Sequence, residues 1–405
     1  MNPGRSYFDH AATTPLRREA IDAMRPLQEA GEFNPSALHA EGRAARTVID
    51  GARATVARLI GADPREIVFT GGGSEANSLA IVGATRAARS TGSAAAHVVT
   101  VATEHHAVLH AVRALRDEGA RVTVLAVDGE GRVDPTDFAA ALEPHTALAT
   151  IMLANNEIGT IAPIAELAGI ARARGVRFHC DAVQAAGRLP VDVRTLGVDL
   201  LTLSAHKCYG PKGVGALYVR AGTPLSPIVH GGPQEASRRA GTENVAGIAG
   251  FAAAFEATEA ERTQTMPELE RLRGRLEAMV LARVPGTRVN GGGATRLPTI
   301  ASVAFADCDA AELLIALDLL GFAVSTGSAC AAGAVERSHV LAAIGVPVWA
   351  QRGTLRLSLG KLSSVQDVER LTRMLPHAVA QARVGSTEMG TFVSGSCSSQ
   401  PEGVL

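Results

Sequence analysis

Short apolar runs rich in Val, Ile and Leu recur along most of the chain, separated by longer Ala-, Leu- and Arg-rich stretches. The runs predict strands at 67–70, 97–102, 122–127, 147–153, 176–182, 200–204 and 216–220. Between them, helical patterns cover 74–89, 107–118, 135–142 and 164–174. Near residue 243 the alternation gives way to one long helical stretch reaching 283. Beyond it the pattern reads strand 300–305, helix 310–320, strand 323–326, helix 339–344, strand 354–359 and helix 364–382. Strands alternating with helices in this way predict an α/β fold, with a large, mostly parallel sheet covered by helices on both faces. The change of rhythm places a domain boundary near residue 255, with a smaller C-terminal α/β domain after it. The last twenty or so residues are Ser- and Gly-rich without periodicity, and disorder is expected there.

Composition narrows the function classes. The chain has 405 residues and balances 39 Lys and Arg against 40 Asp and Glu, so neither a nucleic-acid groove nor an acidic membrane surface is expected as the main partner. The longest apolar run, 245–255, falls well short of the ~18 residues that a membrane span needs. The opening MNPGRSYFDH lacks the apolar core of a secretory signal. Five cysteines (Cys180, Cys208, Cys308, Cys330 and Cys397) are odd in number, widely spaced and form no CxxC pair. A reduced, cytoplasmic setting is the simplest expectation.

Six segments could carry chemistry. FTGGGSEAN at 69–77 runs from a strand through glycines into a helix start, which suits an anion or an ordinary tight turn capped by Ser74. SAHK at 204–207 puts Lys207 at a strand end, where open α/β sheets bind ligands. The protein has only three lysines, Lys207, Lys212 and Lys361, so a Lys kept there hints at a nucleophile against the plainer reading of an exposed loop residue. Asp181 closes another strand, as a partner for a cation or a protonated ring nitrogen, or as a helix cap. His105 follows a third strand; His106 and His110 have metal-pair spacing but no evident third ligand, so a single working His105 is the better reading. Cys330 lies in a run of small residues, either as an accessible thiolate or as an inert filler, whereas Asp307 and Asp309 flank Cys308 and oppose a thiolate there. Arg356 interrupts an apolar strand, by default as an exposed position and otherwise as a clamp for a substrate carboxylate.

Taken in order, these segments resemble the cysteine desulfurases of the class V aminotransferase group. The resemblance runs from YFDHAATTP at 7–15 through TEH (103–105), NNEIG (155–159), DAVQ (181–184), SAHK (204–207) and RAGTEN (239–244) to RLSLG at 356–360. It implies a homodimer of the type I pyridoxal-phosphate fold. The division it suggests is 1–14 joining the small domain, 15–255 as the large cofactor-binding domain, 256–384 as the small domain and 385–405 as tail.

By the same resemblance Lys207 would bond covalently to pyridoxal 5'-phosphate, Asp181 would pair with its ring nitrogen, and His105 would stack on the ring. Asn156 and Gln184 would contact the ring hydroxyl region. Gly73, Ser74, Ser204 and His206 would hold the phosphate, with Thr242 reaching it from the neighbouring subunit. Arg356, beside Asn156, would bind the carboxylate of L-cysteine. Cys330 would take the sulfur as a persulfide, release alanine and pass the sulfur to an acceptor protein. The stretch after Cys330, through Val340, resembles the branch that serves nitrogenase and housekeeping iron–sulfur cluster biogenesis. A selenocysteine lyase or another class V lyase would use the same Lys207 and Asp181. A catalytically silent sulfur-carrier scaffold is the non-enzyme alternative.

Overall fold

The computed structural model describes residues 4–31, 33–90, 96–327 and 337–389, with backbone alone at 90 and 384–389. A short strand β1 (Ser6–Tyr7) and helices α1 (Arg18–Ala30) and α2 (Ala40–Leu59) precede the alternating region. That region comprises β2 (Ile67–Thr70), α3 (Gly73–Ser90), β3 (His97–Val101), α4 (His106–Asp117), β4 (Arg121–Leu125) and α5 (Pro135–Ala141). It continues through β5 (Thr146–Thr150), α6 (Ile164–Ala173), β6 (Arg177–Asp181), α7 (Val193–Leu196), β7 (Leu200–Ser204) and β8 (Gly215–Val219).

These seven strands form one sheet in the order β2-β8-β7-β6-β5-β3-β4, and β8 runs against its neighbours while the pairs β7-β6, β6-β5, β5-β3 and β3-β4 are parallel. Val98, Leu148 and Leu200 point into one core, and the residues after them, Val99, Ala149 and Leu201, into another. Because both faces are covered, the strands read as near-continuous apolar runs. Two buried histidines sit inside this sheet. His179 of β6 bonds to Thr150 Oγ1 at 2.8 Å and Thr202 Oγ1 at 3.0 Å on the flanking strands. His97 of β3 does the same with Thr146 at 2.9 Å and Thr123 at 2.8 Å. Both rings therefore have partners on each nitrogen, as buried polar groups require.

Helix α8 (Val245–Arg283) is 39 residues long and carries Pro267 within it. Its first half places Phe251 and Phe255 in the large core, and its second half places Leu269, Leu272, Leu276 and Val280 in a second core. The boundary read near 255 thus lies inside one unbroken helix, and what changes along it is the core it faces. The second core is completed by β10 (Ile300–Phe305), α9 (Ala310–Leu319), β11 (Phe322–Ala323), β12 (Thr354–Ser358) and α12 (Val365–Met389), while α10 (His339–Ala343) and α11 (Val348–Arg352) pack in a small cluster of their own with Ile158 and Ala304, and β9 (Thr287–Asn290) edges the sheet. β12, β10 and β9 make an antiparallel sheet in that order.

Two expectations need correction here. The strand expected at 323–326 is displaced to 322–323, because β1 pairs with it in parallel, Ser6 to Phe322 and Tyr7 to Ala323. The chain then leaves that pairing to bring Ser325 against Arg356. Helix α12 continues to Met389, into the segment expected to be disordered from 385, and residues 390–405 lie outside the described residues. The start of the chain straddles both cores: Phe8 is buried in the second and Ala11 in the first. Among the described residues, no helix is long and apolar enough to cross a membrane.

Candidate active site

Residues that follow the carboxyl ends of β2, β3, β5, β6 and β7 line a cavity of about 270 Å³. Residues 11 and 12 of the chain start close one side, and Arg356 of β12 with Gly327 closes another. Open α/β sheets bind ligands at this edge. A larger cleft of about 750 Å³ lies between α8 and the start of α12, where Lys361 pairs with Glu261 and Arg275 with Glu369. It contains none of the candidate groups.

Lys207 ends a short 3₁₀ turn directly after β7. Its Nζ donates to Ala11 O at 2.6 Å and Ala12 O at 2.7 Å. Burial, helped by the charges of Arg356 and Arg188, pushes its pKa down from 10.5 to about 7, against the pull of Asp9 and Asp181. Asp181, at the end of β6, is held at both oxygens: Asn77 Nδ2 donates to Oδ2 at 2.6 Å and the Val183 amide to Oδ1 at 2.9 Å. His105 caps α4, its Nδ1 accepting from the Ala107 amide at 3.0 Å. Burial lowers its pKa, outweighing Asp181 nearby, so the ring is neutral at pH 7.

The α3 end is built for close approach. A Cβ on Gly73 would lie 3.0 Å from Val183 Cγ2 and 3.2 Å from Ser204 Cβ, so a larger residue there would crowd both side chains at this end of the cavity. Ser74 and the buried Ser204 line the same end, and among the described residues Ser204 Oγ has no hydrogen-bond partner. His206 Nδ1 meets Thr13 Oγ1 at 3.1 Å, and burial holds its pKa down at about 4. Gln184 fixes its Nε2 on Ala11 O at 2.8 Å and leaves a buried Oε1 with no partner among the described residues.

Arg356 is buried, contrary to the default expectation of an exposed strand position. Its Nη2 donates to Asp9 Oδ1 at 2.9 Å and Ser325 Oγ at 3.3 Å, and its Nη1 to Asn156 O at 3.1 Å. Among the described residues its Nε is buried without a partner, which leaves that donor for an anionic ligand.

The structure brings together Gly73, Ser74, His105, Asn156, Asp181, Gln184, Ser204, His206, Lys207 and Arg356. Thr242 is exposed and sits beside Gly71 at a separate small cavity. Cys330 and Cys397 lie outside the described residues. The other three cysteines are free and buried, and burial pushes each thiol up, Cys208 to about 12. At Cys308 burial, rather than the flanking carboxylates, is the leading cause, with Asp307 and Glu312 adding to it. The described residues contain no group of three side chains that could hold a metal; the His106 ring packs against that of His339 at an interplanar angle of 52°, centroids 4.5 Å apart. Three residues without an assigned part are drawn in: Asn77, Asp9 and Glu157. Asn77 follows Gly73 by one helical turn, a spacing that points both into one cavity; nothing local marked Asp9 or Glu157.

The aminotransferase class-V family matches residues 6–371. A cysteine desulfurase IscS of Dictyoglomus turgidum is 46 % identical over 377 residues, covering 93 % of this chain and 95 % of that protein. A solved NifS-like protein superposes with a TM-score of 0.87 at 32 % identity, covering 93 % of this chain and 100 % of the other. A solved SspA in complex with cysteine gives a TM-score of 0.77 at 36 % identity, covering 87 % and 98 %. The chain belongs to the class-V aminotransferase family. Similarity over nearly the full length of both proteins places it, within that family, among the cysteine desulfurases.

Proposed function

We propose that the chain converts L-cysteine to L-alanine with pyridoxal 5'-phosphate in the cavity at the sheet edge, and passes the sulfur from Cys330 to an acceptor protein. Lys207 carries this reading: an amine held at a pKa of about 7 stands in one cavity with a carboxylate fixed by two hydrogen bonds. Such an amine is available to bond an aldehyde near neutral pH. The donor set also fits the cofactor. Gly73 and Ser74 at the N-terminus of α3, with Ser204 and His206 from the end of β7 and the turn after it, suit a phosphate. Asp181 suits a protonated ring nitrogen, and Gln184 with Asn156 suits the ring hydroxyl. When bound, the cofactor supplies an electron sink for bonds broken at the amino-acid substrate.

The chain's own residues do the rest. Arg356 holds the substrate carboxylate through its spare donor, with Asn156 beside it. His105, neutral, covers the ring and can carry a proton. Cys330 as thiolate attacks the substrate sulfur; the new S–S bond forms as the carbon–sulfur bond breaks, whose electron pair stays with the carbon. That carbon takes up a proton, and the product leaves as alanine. Thr242, away from the cavity in its own chain, serves the phosphate of a second copy in a homodimer. The three buried free thiols suit a reduced, cytoplasmic setting. The two cores support a large domain at 15–255 and a small one at 256–384, with the chain start shared between them through Ala11 and Phe8.

Cys330→Ser separates the steps. The variant should keep the visible absorbance of the bound cofactor and its change on adding cysteine, yet release almost no alanine. Mass spectrometry of the parent after brief cysteine treatment should place the added sulfur on the Cys330 peptide. Near-normal turnover in Cys330→Ser, or persulfide mainly on Cys180 or Cys397, would overturn the assignment. Turnover of selenocysteine alone would point to a lyase of the same class.

A further inference from the structure

Glu157 follows Asn156 in the turn beyond β5 and is only 5 % exposed. Its backbone is fixed, because Asn155 Oδ1 accepts from the amides of Glu157 at 2.8 Å and Ile158 at 3.0 Å, while Asn155 Nδ2 donates to Thr103 O at 2.9 Å. A carboxyl buried this deeply is costly unless its oxygens find partners. One flank of the Cys330 segment supplies a hydrogen-bond partner and the other packs against it. Ser338 Oγ donates to Glu157 Oε2 at 2.5 Å. On the other flank, a Cβ on Gly327 would lie 3.1 Å from that same oxygen, and the φ of Gly327 is +84°. Glycine alone reconciles that backbone with so close an approach.

We propose that Glu157 is a positioning residue for sulfur removal: its carboxyl holds Ser338 by a hydrogen bond and abuts the backbone of Gly327, the two residues flanking the segment bearing Cys330, at the wall of the cavity. This rests on the reading of Cys330 given above. The same wall holds the substrate side. Arg356 donates to Asn156 O, next to Glu157, and to Ser325 Oγ, which also accepts from the Gly327 amide at 3.2 Å. Beyond Ser338, His339 Nε2 meets Glu104 O at 2.8 Å, adjacent to His105. Glu157 thereby sets where the described flanks, Gly327 and Ser338, meet the cavity wall, and displacement of a reacting group by about 1 Å can cost a hundredfold in rate.

The test uses the full chain with and without cofactor, in the variants Glu157→Ala, Glu157→Gln, Ser338→Ala and Cys330→Ser. Glu157→Ala should speed hydrogen exchange in peptides containing Gly327 or Ser338 in both forms. Its kcat for alanine release should fall about ten- to hundredfold, while its KM for cysteine and its cofactor absorbance hold. Glu157→Gln still accepts the Ser338 hydroxyl proton and should recover most of the rate, and Ser338→Ala should lose part of it. Unchanged exchange and kcat in Glu157→Ala would overturn the proposal, as would cofactor loss in step with activity or a Glu157→Gln as impaired as Glu157→Ala. Near-normal turnover in Cys330→Ser would instead remove the reading beneath it and the proposal with it. That outcome is read from a different variant, so the two failures are distinct.

Discussion

The two sides of the cavity are made in different ways. On the sheet side, Asp181 and Ser204 are the last residues of β6 and β7, and Lys207 comes three residues after Ser204. Their positions follow from the strands themselves, buttressed by α3 through Asn77. On the other side, Arg356 takes its orientation from Asp9, 347 residues away, from Asn156, 200 away, and from Ser325, 31 away. The sheet side is set by the strand ends and closed by the chain start, through Lys207, Gln184 and His206, whereas the Arg356 side also needs the second core docked. Substitutions on the first should therefore strike cofactor chemistry, and substitutions on the second should strike substrate binding.

The largest effect tests the sheet side. Lys207→Ala should lower alanine formation by about a thousandfold or more, on the scale of losing a directly acting group. Borohydride reduction of the loaded parent should fix the cofactor to Lys207 and leave Lys212 unlabelled. The same lysine predicts a pH dependence. With its pKa held at about 7, the amine is mostly protonated below that pH and free above it. Reaction of the cofactor-free protein with an aldehyde should thus rise through a midpoint near pH 7. A midpoint near the ordinary 10.5 would show that the cavity is wet and that the Arg356 and Arg188 charges are not felt.

The same contrast explains what could be read from the sequence. The strands of the large sheet are apolar on both faces, so their carboxyl ends, and with them Lys207, Asp181 and the Gly73–Ser74 turn, stand out from the pattern alone. Arg356 was visible as an anomaly within an apolar strand, but not its burial, since that depends on Asp9 and Ser325 arriving from elsewhere. β9 is a four-residue strand of sequence TRVN, whose polar residues hide it. The displaced β11 had the same cause as Arg356: its register is set by β1, more than three hundred residues earlier. Glu157 lies within the NNEIG motif, yet Ser338, its partner, and Gly327, its neighbour, are brought to it only by the fold.

On the Arg356 side the expected changes are smaller and of a different kind. Arg356→Ala should raise the KM for cysteine about ten- to hundredfold, the scale of one lost charge-assisted hydrogen bond of about 1.5–3 kcal/mol. Its cofactor absorbance should stay. Asp9→Asn still accepts from Arg356 Nη2 but withdraws the charge that offsets the guanidinium, so a KM change of only a few-fold, about 2–5, is expected. If Asp9→Asn disturbed the cofactor spectrum as strongly as Asp181→Asn, the division between the two sides would be wrong.

The smallest expected effect concerns the interior of the sheet. His179 bridges Thr150 and Thr202 with no exposure, and burial holds its pKa down at about 3. In the unfolded chain the same ring takes a proton near pH 6.5, so the unfolded state binds more protons below that pH. The stability it contributes is whole above pH 6.5 and is lost progressively as the pH falls toward 3. His10 and His206, lowered to about 4, and His97, also lowered, add to the same slope, so one ring supplies only a share. Glu104, buried and raised, works against it, because a carboxyl that keeps its proton when folded favours the folded state in acid. His179→Gln keeps a donor and an acceptor for the two threonines and removes the titration. Urea midpoints measured between pH 7 and 5 should therefore fall less steeply for His179→Gln than for the parent, whatever constant offset the replacement brings. Parallel slopes would mean that His179 already titrates normally in the folded sheet, and that the sheet side is looser than its hydrogen bonds imply.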